Sequence, residues 1–83
     1  ENELDAKRRK LEEEEKAKQQ AEEAKLAKDR AENCQRARAY ERTLNDGIRI
    51  SRTNAQGERE ILDDKGRADE MRRTQDAIQA NCK

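Results

Sequence analysis

The sequence predicts a mainly α protein: a long N-terminal helix folds back, through a small β-hairpin, onto a second helix, giving an antiparallel, disulfide-stapled helical hairpin. Three observations predict it. Asp, Glu, Lys and Arg make up 48% of the 83 residues, Pro is absent, and 20 basic side chains balance 20 acidic ones. No Gly precedes Gly47, so the first half carries no helix breaker at all. The only two cysteines, Cys34 and Cys82, fall on two apolar stripes that align in a single antiparallel register.

The composition sets limits on the core. Large apolar side chains are confined to Leu4, Leu11, Leu26, Tyr40, Leu44, Ile48, Ile50, Ile61, Leu62, Met71 and Ile78, too few for a compact single-core domain of this length. Low hydrophobicity with a large net charge would mean disorder, but here the charges cancel. Balanced charge with abundant Ala, Glu, Lys, Arg and Gln is the composition of long solvated helices.

The first element is expected over about Asn2 to Asp46. Acid-then-base pairs four apart recur along it: Glu3 and Lys7, Asp5 and Arg9, Glu12 and Lys16, Glu14 and Lys18, Glu32 and Arg36. Each such pair supports a helix by about 0.2–0.5 kcal/mol. Gly47 stops the helix, as Gly does just past a helix end. Residues 1–33 carry only a thin stripe of Leu4, Leu11, Ala17, Ala21, Ala24 and Ala27, which reads as an extended charged spacer or a coiled-coil seam.

The second element is a β-hairpin cap at about 48–62. Ile48-Arg49-Ile50-Ser51-Arg52 and Glu58-Arg59-Glu60-Ile61 alternate, and Thr53-Asn54-Ala55-Gln56-Gly57 joins them. Asn first and Gly fourth suit a type I turn, with Gly57 in the left-handed conformation of a bulge. Pairing Ile50 with Ile61 puts Ile48, Ile50 and Ile61 on one face, and sets Arg52 opposite Arg59, a mildly unfavourable match.

The third element is a helix from Asp63 or Asp64 to Asn81, with either Asp able to cap its N-terminus. Ala68, Met71, Gln75, Ile78 and Cys82 recur at spacings of three and four, and so do Ala31, Cys34, Ala37, Glu41, Leu44 and Ile48 on the first helix. Laid antiparallel, Cys34 meets Cys82, Ala37 meets Ile78, Glu41 meets Gln75, Leu44 meets Met71, and Ile48 meets Ala68. Small residues then face large ones, so the helices can interdigitate. Residues 34–83 therefore read as a two-helix module, with residues 1–33 as a separate extended region.

The chemistry that remains is sparse. Without His there is no base to activate a cysteine nucleophile, and two thiols alone do not close a zinc site. The pair is read as a structural disulfide closing a loop of about fifty residues, which constrains the unfolded chain by about 4 kcal/mol and implies an oxidising compartment. The run Glu12-Glu13-Glu14-Glu15 after Lys7-Arg8-Arg9-Lys10 reads as a solvated helix whose neighbouring turns neutralise one another. Residues 34–83 carry 11 basic and 9 acidic side chains with Tyr40 as the only ring, a poor match to a nucleic-acid surface. No phosphate-cradling loop and no membrane-spanning run is present, so no catalytic residue, metal, cofactor, nucleic acid or membrane insertion is expected. Because the chain starts at Glu1 and not Met, it reads as a fragment from which a signal sequence or domain was removed.

The run Asn33-Cys34, Gly47-Ile48-Arg49-Ile50, Asn54-Ala55-Gln56-Gly57-Glu58-Arg59-Glu60, Leu62-Asp63-Asp64, Arg67-Ala68 and Asn81-Cys82 resembles the C-terminal module of proteobacterial envelope proteins that carry the domain of unknown function number 4124. That resemblance implies a periplasmic location in the cell envelope. Some members of the family are linked to type IV pilus stability, which implies a connection with pilus assembly or stability. The function expected is a non-catalytic protein–protein interaction module. Its partner surface is expected on the cap, at Arg49, Ile50, Arg52, Asn54, Arg59 and Ile61, because Arg and exposed Ile are useful at interfaces. Tyr40 is a secondary candidate. The alternative is a structural coiled-coil oligomer or rigid spacer, with a possible homo-oligomer contact through residues 1–33.

Overall fold

In a computed structural model that describes residues 2–83, the elements follow in the order α1 (Glu3–Asn45), β1 (Ser51–Thr53), β2 (Arg59–Ile61) and α2 (Asp64–Asn81). The Asn2 side chain accepts the backbone N–H of Asp5 at 2.8 Å and caps α1, while Glu3 and Asp5 place negative charge at the positive end of the helix dipole. The helix then runs 43 residues without interruption and accounts for most of the 70 Å long dimension of the molecule. It ends where Gly47 takes a φ of 72°, a left-handed conformation that a side chain disfavours.

The hairpin forms, but one residue out of the expected register. Ser51 faces Ile61, Arg52 faces Glu60 and Thr53 faces Arg59. The turn explains the slip. The Asn54 N–H donates to the Glu58 carbonyl at 2.8 Å, and the Asn54 side chain accepts the N–H groups of Gln56 and Glu58 at 3.0 and 2.9 Å. Gly57, at φ 82°, is bulged out as the extra residue, so the pairing starts one position later than an unbulged count gives. Two expectations fall with the old register. Ile48, Ile50 and Ile61 do not share one face, and Arg52 meets an acid instead of Arg59.

α2 starts at the second of the two aspartates. Asp63 is its cap, with the side chain accepting the Gly66 N–H at 2.7 Å. The two helices are antiparallel: Cys34 is bonded to Cys82 at one end, and Arg67 reaches Leu44 and Ile48 at the other. The Cys34 and Cys82 Cα atoms are 5.0 Å apart, within the range a disulfide needs. The predicted Glu41–Gln75 pair is also present as a side-chain hydrogen bond.

The buried face of α2 is rotated from the predicted stripe. Thr74 is its most buried side chain at 5% exposure, Met71 and Ile78 are half-buried, and Ala68 and Gln75 are exposed. On one side of the seam Asn33 meets Asn81 and Tyr40 meets Glu70; on the other Glu41 meets Gln75. Polar residues thus occupy the centre of the helix pair because Thr74 satisfies its own hydroxyl on the Glu70 carbonyl at 2.7 Å. The apolar core is only Ala37, Leu44 and Leu62. Ala31 and Ile48, placed on the predicted stripe of α1, are exposed. Residues 3–32 are exposed throughout.

Candidate protein-contact surface

The register sorts the cap residues onto two faces, since side chains alternate along a strand. One face carries Ile50, Arg52, Glu60 and Leu62. Leu62 is buried and Ile50 half-buried, and the Leu62 N–H donates to the Ile50 carbonyl at 2.9 Å. This face packs against the helix pair. The other face carries Ser51, Thr53, Arg59 and Ile61, all exposed.

The six expected contact residues therefore divide. Ile50 is spent on packing, and Asn54 holds the turn. Arg52 ties the cap to α2, with its guanidinium 3.5 Å from Glu60 and 3.2 Å from Glu70. Ile61 stands on the open face at 56% exposure, and beside it the Arg59 guanidinium donates to the Ser51 hydroxyl at 2.9 Å. Arg49, just before β1, is exposed. Arg49, Arg59 and Ile61 are thus the members of the set that remain available to a partner.

Glu70 organises the junction between cap and helices. Its carboxylate receives Arg52 at 3.2 Å, Arg73 at 3.7 Å and the Tyr40 hydroxyl at 3.4 Å, and only 19% of its side chain is exposed. Burial pushes the Tyr40 hydroxyl above its usual range, and the negative charge and hydrogen bond of Glu70 push it further; Arg52 and Arg67 oppose both. Tyr40, Asn33, Arg36, Ala37, Arg73 and Thr74 line a shallow open groove along the helix pair.

Arg67 was not among the sequence candidates, yet it makes the most specific polar contact of the head. Its guanidinium donates to the Leu44 carbonyl at 2.7 Å and to the Ile48 carbonyl at 2.8 Å. The Leu44 carbonyl lies in the last turn of α1, where carbonyls lack an intrahelical partner, and the Ile48 carbonyl lies just past the helix end; one planar forked donor reaches both. A signal was available. A cation in the first turn of α2 sits at the unfavourable end of that helix dipole, which makes sense when it answers the carbonyl end of another helix.

Among the described residues no cluster of His, Cys, Asp and Glu could hold a metal ion, and no helix is long and apolar enough to cross a membrane. Comparison with protein families, with curated proteins and with solved structures finds no match to this chain.

Proposed function

We propose that this chain is a non-catalytic protein–protein interaction module, in which a disulfide-stapled head presents the outer face of its β-hairpin at the end of a long charged helix. The observation that carries the reading is the division of the cap: one face is consumed by packing, while Ile61 stays 56% exposed beside Arg59 on the other. The 18 residues between Asn45 and Asp64 are not needed to reverse a helical hairpin, since about 2–8 residues suffice. Segments that folding does not require are often kept for binding. The disulfide supports an oxidising compartment. On the resemblance to envelope proteins, the proposed setting is the bacterial periplasm, with a connection to type IV pilus assembly or stability.

The test is capture of a partner from envelope extract by the wild type and by the triple variant Arg49→Ala, Arg59→Ala, Ile61→Ala. Capture should weaken about tenfold or more, as for anchoring residues, with melting unchanged. Equal capture by both proteins removes the cap from consideration.

A second reading concerns the long helix. Leu4 and Leu11 lie two turns apart on one stripe at 63% and 65% exposure, which favours a structural coiled-coil contact or spacer role for residues 3–32.

A further inference from the structure

The charge pattern around Leu11 is antisymmetric. Lys7-Arg8-Arg9-Lys10 precedes it and Glu12-Glu13-Glu14-Glu15 follows it. A two-fold axis beside Leu11 and perpendicular to the helix sets Lys7 and Arg8 level with Glu15 and Glu14 of the second copy; at about 3.6 residues per turn these four flank Leu11 on its own face, whereas Arg9 and Glu13 point away from it. Every one of these side chains is exposed. α2 does not reach this stretch: it ends at Asn81, next to the Cys82 that is bonded to Cys34.

We propose that residues 3–20 form an antiparallel contact with the same segment of a second copy, with the two-fold axis at Leu11. This deepens the coiled-coil reading of the long helix and rests on it; the cap reading is independent. The occupant is a second copy because a two-fold interface must be self-complementary, and a sequence that is antisymmetric in charge about one residue meets that condition. The other pairings fare worse. A parallel dimer in register sets the basic block beside the basic block and the acidic beside the acidic. An antiparallel dimer overlapping over the whole of residues 3–32 sets Glu12 against Glu23, Glu13 against Glu22 and Lys10 against Lys25. At the Leu11 axis, Leu11 meets its own copy, and Leu4 lies along the aliphatic stem of Lys18. Lys7 already leans on Glu3 at 3.6 Å within its own chain, a largely exposed pair that can exchange for the acidic block of the second copy.

The apolar content of the seam is small, so the association is weak and governed by charge. It should therefore fade with salt, because exposed charges are screened over about 8–10 Å at 0.1–0.15 M ionic strength. The geometry has a functional consequence. The 34 residues of α1 between Leu11 and Asn45 span about 51 Å at 1.5 Å per residue, so the two heads would stand about 100 Å apart, at opposite ends of one rod.

Sedimentation and small-angle X-ray scattering of the full chain at about 20 mM and about 500 mM salt test this. The expected result is a dimer at low salt with a maximum dimension above about 100 Å, dissociating at high salt to a monomer near the 70 Å of the single chain. Changing Glu12, Glu13, Glu14 and Glu15 together to Lys should abolish the dimer at low salt. Exchanging the two blocks, with residues 7–10 changed to Glu in that variant, should restore it, with helicity by circular dichroism checking that each protein folds. A monomer at every salt and concentration overturns both the antiparallel contact and the coiled-coil reading. A dimer only as long as the monomer overturns the antiparallel contact alone. A dimer that survives the acidic-block change overturns the role of charge, and with it the proposal.

Discussion

Residues 3–32 and residues 33–82 contain two stretches of the same helix, yet the helix persists in each for a different reason. In the first stretch every residue is exposed, and helicity rests on the Asn2 cap, on high-propensity residues and on ion pairs such as Glu3–Lys7. In the second, Ala37 and Leu44 are buried, Cys34 is bonded to Cys82, and Arg67 closes the C-terminal carbonyls. The first stretch can fray turn by turn. The second unfolds only when α2 is released. One continuous helix thus contains two units of stability, and the staple at Cys34 lies close to their boundary.

The largest expected effect on this contrast comes from the staple. Closing a loop with a sequence separation of 48 removes about 4 kcal/mol of chain entropy from the unfolded state. A core of Ala37, Leu44 and Leu62 cannot replace it, so Cys34→Ser with Cys82→Ser should leave the head largely unfolded at 37 °C. Melting followed by circular dichroism should show loss of the cooperative transition with the helicity of residues 3–32 retained. An unchanged melting temperature would mean that the head holds itself together without the bond.

Packing changes come next. Leu44→Ala and Leu62→Ala should destabilise the head by amounts near the lower end of the usual 2–5 kcal/mol or so, since solvent can relax into an open seam. Leu26→Ala, in the bare stretch, should change the melting of the dilute protein by less than about 0.5 kcal/mol. Equal effects at the two places would erase the distinction between them.

Removing the fork that closes α1 is a smaller step. Arg67→Ala removes the side-chain donor of the Ile48 carbonyl and one of two donors of the Leu44 carbonyl, which keeps the Gly47 N–H at 3.3 Å; the cost should be about 1–3 kcal/mol, and Arg67→Lys should recover only part of it, because an ammonium cannot match the fork. Denaturant titration measures both. Full rescue by Lys would show that charge alone matters at that helix end.

The smallest effect is one of pH. Tyr40 titrates above its usual value of 10.0 in the folded head, chiefly through burial and secondarily through Glu70. The folded state therefore favours the neutral hydroxyl. Its contribution to stability is fully present below the unfolded value and is lost as pH rises through the folded one. Stability measured from pH 8 to 11 should decline above about pH 10, and Tyr40→Phe should flatten that decline. The same slope in both proteins would assign the decline to other groups.

The sequence disclosed most where local chemistry decides. Gly47 and Asp63 marked the end of α1 and the start of α2, and the register that brought Cys34 to Cys82 also brought Glu41 to Gln75. It disclosed less where one residue of backbone geometry decides. The left-handed bulge at Gly57 was legible, but the expected register did not count it as an extra residue; with period-two alternation that slip of one puts Ile50 and Ile61 on opposite faces. It also hid Thr74, because a search for apolar periodicity passes over a hydroxyl that bonds to its own helix. The hairpin was thus legible as an element, but not which side chains each of its faces carries. Arg52 and Asn54 look like contact residues in the sequence, and their hydrogen bonds assign them to the fold.

The central claim is that α1 contains two stability units meeting near Cys34. Hydrogen exchange resolved along the chain tests it most directly, on dilute protein at high salt, where residues 3–20 are monomeric. The account predicts fast exchange over about Leu4 to Ala27, slow exchange around Ala37, Leu44, Thr74 and Ile78, and loss of that protection once the disulfide is reduced. Uniform protection along the whole of α1 under those conditions, or protection of the head that survives reduction, would contradict it.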